Sequence, residues 1–232
     1  KELVEYQNSI SQSLISKYTL NDTDLVVDLG SNDGTLLTGF KNKGMHVIGV
    51  EPTNISKIAN QKGIETIQKF FTVDTANEIK DKHGEASLIL STNMFAHMAT
   101  IGEVVSGIEI LLKDDGVFVL ESHYLMDVIQ GGQFDTIYHE HLRTYSLKSI
   151  IKLFSYYNFT ITDVERGSRY GGNIRVHVTK GKNRPVSENV ATLLNLEENS
   201  GLNKLKTYEK FADRVKKAKI DFMKFVLNIK ED

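Results

Sequence analysis

The stretch Leu25-Val26-Val27-Asp28-Leu29-Gly30-Ser31-Asn32-Asp33-Gly34 decides the fold. A short apolar run ending at glycine reads as a strand buried on both faces, the kind that parallel sheets require. Gly30 and Gly34 allow a tight turn and a close approach of backbone to a ligand. Asn32 lies between them, and Asn tolerates the left-handed conformation better than most residues. The apolar positions that follow predict a helix over 35–42.

Outward from this unit the same alternation recurs. Further strands are predicted over 46–50, 65–67, 87–91 and 117–120, with helices over 55–61 and 101–112, the last ending at Lys113-Asp114-Asp115-Gly116. Residues 2–18 carry Leu3, Tyr6, Ile10, Leu14 and Tyr18 at helical spacing. After Glu121 the rhythm changes. Residues 122–145 read as a polar loop rich in His and Tyr, 147–156 as a helix capped by Ser146, and 160–164 and 173–179 as two closing strands. The expectation is an α/β fold: a doubly wound, mostly parallel seven-stranded sheet with an N-terminal helix. A charged helical tail is expected from 187, broken near 199–201. The expected division is a ligand-binding domain over 1–182 and a tail over 183–232.

Bulk properties narrow the function. The net charge is −2 with both signs interspersed, so no clustered basic surface offers itself to nucleic acid. No apolar run approaches the roughly 20 residues of a membrane span, and no charged-then-apolar leader opens the sequence. There is no Cys, which excludes disulfides, thiol catalysis and Cys-ligated zinc in these residues. A cytoplasmic location is the expectation.

Ligands on such sheets sit beyond the carboxyl ends of the strands. The second strand ends at Glu51, 23 residues after Asp28. A carboxylate there can accept both hydroxyl hydrogens of a ribose. The nicotinamide fingerprint G-x-G-x-x-G is not supplied by Gly30-Ser31-Asn32-Asp33-Gly34. A plain α/β turn with a solvated Glu51 is the bland alternative. Three segments carry further chemistry: 91–98 with His97, 134–142, and 170–176. Tyr138, His139, Glu140 and His141 pack three classes of proton-transfer group into four residues. The same residues also fit a metal site or a solvated loop, and His97 alone fits a structural histidine.

Together these stretches resemble the sugar-nucleotide C-methyltransferase family, within the class I S-adenosylmethionine-dependent methyltransferases. The resemblance runs in order through VVDLGSNDGTLL, VIGVEPT, STNMFAHM, DGVFVLESHYL, FDTIYHEHLRTYSL and YGGNIRV. It implies a Rossmann-like class I domain, S-adenosyl-L-methionine as cofactor, and a keto-deoxysugar carried on a nucleotide as the small-molecule partner. It implies His141 as the base, Tyr138 and Glu140 assisting, and His97 against the sugar or its oxyanion. Asp28, near the methionine amino group, would bind the cofactor with Gly30, Asn32, Gly34, Glu51, Pro52, Phe71 and Asn93. No catalytic metal is expected. The family also has a Cys-rich zinc domain before this region and an α/β domain after it, and it often shows His where this sequence has Tyr170. Transfer to an oxygen acceptor, or a cofactor-binding unit needing a partner domain, are the alternatives. In the tail, Leu205, Tyr208, Ala212, Val215, Phe222 and Phe225 form an apolar stripe. Packing within the chain is the expectation for it, a homodimer seam the alternative.

Overall fold

In the computed structural model, which describes residues 2–229, strand β1 (Leu25–Leu29) is buried along its whole length. Beside it in the same direction run β2 (His46–Val50), β3 (Thr66–Ile67), β4 (Ala86–Thr92) and β5 (Leu112–His123). Strands β6 (Phe159–Gly167) and β7 (Asn173–Lys180) return antiparallel, giving the order β3-β2-β1-β4-β5-β7-β6. The order reverses at β1 and β4, which opens a crevice at their carboxyl ends.

Side chains alternate across each strand, so β1 feeds two cores. Val27 and Leu29 pack under α4 (Val73–His83), α5 (Ile101–Leu111) and α7 (Leu147–Phe154). Val26 packs on the other face, under α1 (Glu2–Tyr18) and α2 (Thr35–Lys41), with Ile10, Leu14 and Phe40. The short α3 (Ser56–Gln61) joins β2 to β3. No helix among the described residues is long and apolar enough to cross a membrane.

Several elements differ from the sequence reading. Helix α4 was not predicted; its apolar positions are only Val73, Ala76 and Ile79 among charged residues, and Thr72 caps it by accepting from Thr75 N at 3.2 Å. Residues 122–145 are not all loop. They hold the end of β5, α6 (Leu125–Gly131), which buries Met126, Val128 and Ile129, and a 3-10 turn at Phe134–Thr136. β5 begins at Leu112, taking in residues read as a helix end, because Leu112 pairs with Ala86 before a register shift.

The tail forms α8 (Glu188–Asn199) and α9 (Leu205–Ile229). The expectation that its stripe packs within the chain is overturned. Leu205, Phe222 and Phe225 are 74%, 64% and 63% exposed, and only the α9 side chains Tyr208 and Phe211 lean on the core. Beyond its first turns α9 leaves the body of the domain, so no element stands opposite the stripe among the described residues.

What anchors the tail is polar. Glu197 of α8, 3% exposed, accepts from Tyr124 Oη at 2.9 Å and from the backbone N–H groups of Leu147 at 2.5 Å and Lys148 at 3.1 Å. A carboxylate at the start of α7 also meets the positive end of that helix. Glu197→Ala is expected to cost about 2–4 kcal/mol, since it orphans several buried donors. Urea unfolding reads this directly, and a loss of under about 0.5 kcal/mol would remove Glu197 as the clamp.

Candidate active site

The turn after β1 takes the conformation its residues permit. Gly30, Asn32 and Gly34 have φ of 75°, 51° and 76°, all left-handed. Gly30 N and Ser31 N both donate to Val50 O, at 2.8 and 3.2 Å, which fixes the turn against the end of β2. A Cβ on Gly30 would stand 2.6 Å from Met94 Cγ, so no larger residue fits without displacing Met94. Beyond this turn lies a cavity of about 430 Å³ at the carboxyl ends of the strands. Gly30, Glu51, Pro52, Phe71, Met94 and His97 are among its lining residues.

Two buried carboxyls stand beside that cavity. Glu51, 7% exposed, accepts from Asn32 N at 3.2 Å and from Thr53 N at 2.9 Å, one bond on each oxygen. The backbone therefore orients the carboxylate and leaves each oxygen a further lone pair. Asp28 is 2% exposed, and its Oδ1 has no partner. Burial, and then the nearby Glu51, push its carboxyl up to about 8. Ser31 Oγ, Ser91 Oγ and Asn93 Oδ1 are likewise buried without partners. Asn93 itself is left-handed at φ 56°, with its N–H given to Glu121 O. Unpartnered buried oxygens are uncommon in folded proteins, and these cluster at the carboxyl ends of β1 and β4, where they leave acceptors open.

The second half of the site is a group of rings. His141, in the loop after α6, has its ring centroid 4.8 Å from that of His97, 5.2 Å from His123 and 4.4 Å from Tyr138. His141 Nδ1 lies 2.7 Å from Thr136 O. A carbonyl can only accept, so Nδ1 carries a proton, and in the neutral ring the lone pair is on Nε2. Tyr138 Oη approaches Nε2 at 3.5 Å. The loop thus brings His97, Tyr138 and His141 together. It does not bring Glu140 to them: that carboxylate is exposed and lies 4.0 Å from His139 Nε2.

His123 is the member that sequence reasoning missed. It ends β5, and its ring also meets Tyr170 at 5.9 Å. Burial, then His141 and His97, push it below the usual histidine range. Its signal is its position in ESHYL, three residues past the carboxyl end of the strand predicted over 117–120. Below the rings, Glu121 is 1% exposed and accepts from Tyr6 Oη, Asn173 Nδ2 and both Nε and Nη2 of Arg175. This network ties α1 and β7 to the end of β5.

One further cluster has metal-like spacing: Asp163, Glu165 and His177. Lys17 Nζ already binds both carboxylates, at 2.6 and 2.8 Å, and His177 gives its nitrogens to Tyr18 and Glu165. An ammonium holds the place of a cation there, and the cluster fastens α1 to β6 and β7.

Comparison with known proteins agrees with this architecture. Residues 5–164 match the family described as "Methyltransferase domain", and residues 168–232 the "C-methyltransferase C-terminal domain". The C-methyltransferase NovU of Streptomyces niveus is 34% identical over 232 residues, covering 99% of this chain and 55% of that protein. The chain thus spans about half the length of that relative. Magnesium protoporphyrin IX methyltransferase from Synechocystis, solved with bound SAH, superposes with a TM-score of 0.58 at 13% identity, over 77% of this chain and 83% of that one. The 1,6-didemethyltoxoflavin-N1-methyltransferase of Burkholderia thailandensis, solved with S-adenosylhomocysteine, gives 0.57 at 16% identity, over 76% and 78%. At such identities the likeness is one of fold. The match over residues 5–164 covers more than half the sequence: this chain belongs to the methyltransferase-domain family, with the Rossmann-like class I fold, and continues into a C-methyltransferase C-terminal region.

Proposed function

We propose that the protein transfers a methyl group from S-adenosylmethionine to a carbon beside a ketone, on a keto-deoxysugar carried by a nucleotide. The observation that carries this reading is His141. Its tautomer is pinned by Thr136 O and its free Nε2 sits among His97, His123 and Tyr138, next to the cavity of Gly30 and Glu51. Methyl transfer to oxygen needs only deprotonation of a hydroxyl; a carbon acceptor needs a base and an oxyanion donor together, which this arrangement offers.

The chain's residues fit the cofactor. The unpartnered Asp28 Oδ1 suits a cationic amino group, Glu51 a ribose, and Phe71 and Pro52 an adenine in an apolar cleft. When bound, S-adenosylmethionine supplies an electrophilic methyl group. His141 Nε2 takes a proton from the carbon next to the ketone, and the electron pair left behind becomes an enolate. The Tyr138 hydroxyl and the imidazole of His97 donate to the enolate oxygen, whose charge grows as the C–H bond breaks. Holding base, acceptor and cleft in one frame supplies the remaining acceleration.

Calorimetry tests the cofactor half. Micromolar binding of S-adenosylmethionine and its demethylated product is expected, with little response to nicotinamide dinucleotides. Glu51→Ala should weaken binding by about 1.5–3 kcal/mol, the range for hydrogen bonds to a charged group. Unchanged affinity in that variant would move the ribose elsewhere.

A further inference from the structure

We propose that Arg169 is an anion-binding residue of the acceptor site, built to hold a phosphate group of the nucleotide that carries the acceptor. The inference rests on the function proposed above and deepens it. The sequence has six arginines. Five of them are hydrogen-bonded: Arg143 to Met98 O and Ala99 O, Arg166 to Asp127, Arg175 to Glu121, Arg184 to Lys180 O, and Arg214 to Ile129 O and Gln130 O. Arg169 makes neither a hydrogen bond nor an ion pair among the described residues. Its guanidinium instead lies over two rings, with Cζ 4.3 Å from the centroid of Tyr6 and 5.2 Å from that of Tyr170.

That placement is unusual for a group that is always charged and carries five donors. The two rings confine the guanidinium without using its N–H groups, so less side-chain freedom remains to be lost on binding. Tyr6 is fixed in turn by Glu121 through its hydroxyl. The neighbouring Asp127 is paired with Arg166 and Glu121 with Arg175, so neither carboxylate is paired with Arg169. Tyr170 meets His123, and His123 meets His141, so the fork stands two rings from the proposed base. A fork of parallel N–H donors recognises carboxylate and phosphate best. The proposed acceptor carries its charge on phosphate, beyond the sugar, and that separation matches a cation set back from His141.

The test is calorimetry on the protein saturated with S-adenosylhomocysteine. The probes are the diphosphates of uridine and thymidine, the two free nucleosides, and inorganic pyrophosphate. Arg169→Met keeps the stem over the rings and removes the fork; Arg169→Lys keeps the charge alone. A nucleoside diphosphate is expected to bind more tightly than pyrophosphate, and both should weaken about 10- to 100-fold in Arg169→Met. Arg169→Lys should recover part of that loss, and the affinities for nucleosides and for S-adenosylhomocysteine should not move. Undiminished diphosphate binding by Arg169→Met overturns the proposal. So does a loss of S-adenosylhomocysteine affinity in that variant, which would assign the fork to the cofactor's carboxylate. Equal binding of pyrophosphate and nucleoside diphosphate overturns the assignment to a nucleotide. The parent reading fails separately, if the wild-type chain does not bind S-adenosylhomocysteine at all.

Discussion

His141→Asn is expected to abolish both methylation and the exchange of the acceptor's acidic C–H with deuterated solvent, each by at least about 10³-fold. The two readouts separate the steps. Exchange needs the base and a stabilised enolate but no methyl group, so the demethylated cofactor product is enough to complete the site. Thr136 O fixes the His141 tautomer, and Asn cannot take up a proton at the same place. Tyr138→Phe should slow exchange and methylation together by about 10²–10³, the usual loss of one oxyanion donor. Cofactor affinity should not change in either variant, since neither side chain lines the cavity beside Gly30 and Glu51. Nuclear magnetic resonance of a bound keto-sugar nucleotide follows the exchange. Full methylation by His141→Asn, or methylation of an oxygen with no C–H exchange, would exclude the carbon mechanism.

The second large effect is expected at Asp28. Its carboxyl is pushed up to about 8 by burial and by Glu51, whereas an unfolded chain holds it near 3.8. Between those values the folded chain keeps a proton that the unfolded chain has lost. The stability this group contributes is therefore fully present below about pH 4 and is lost as pH rises toward 8. Asp28→Asn removes that dependence, so its stability relative to wild type should grow between pH 5 and pH 8.5. Thermal melts at the two pH values measure the difference. Binding should move the other way. A cationic amino group stabilises the ionised carboxylate, so cofactor binding at neutral pH should expel a proton from Asp28. Calorimetry in two buffers of different ionisation enthalpy would detect that release, and Asp28→Asn should lack it while binding at least about 10-fold more weakly. A variant that melts with the wild-type pH dependence, or releases the same proton, would mean that Asp28 is not the buried acid.

The core of the fold and half of the site are legible because their signals are local. A five-residue buried strand and left-handed glycines have type-level signatures, so Leu25–Gly34 announces both the sheet and the turn. Glu51 is legible for the same reason, since the end of a parallel strand is where such folds bind ligands. The resemblance of the FDTIYHEH segment singled out Tyr138 and His141, but not their surroundings. Helix α4 was illegible because charged residues dilute its three apolar positions, and α6 because a stretch rich in His and Tyr reads as loop.

What tertiary structure alone decided is which of the marked side chains meet. His97 follows β4, His123 ends β5 and His141 lies in the loop after α6, and they converge because β4 and β5 end at one edge of the sheet. Glu140 is adjacent to His141 in sequence yet stays exposed, because it sits in the turn that His141 N closes on Tyr138 O and its carboxylate reaches His139 instead of the rings. The antiparallel return of β7 puts Arg169 against Tyr6 of α1, 163 positions away in the chain. The apolar stripe of α9 was visible from its period, but periodicity marks only a face. Whether anything covers that face depends on where the helix axis runs, and that is fixed by the anchors at Glu197 and Tyr208, not by the stripe itself.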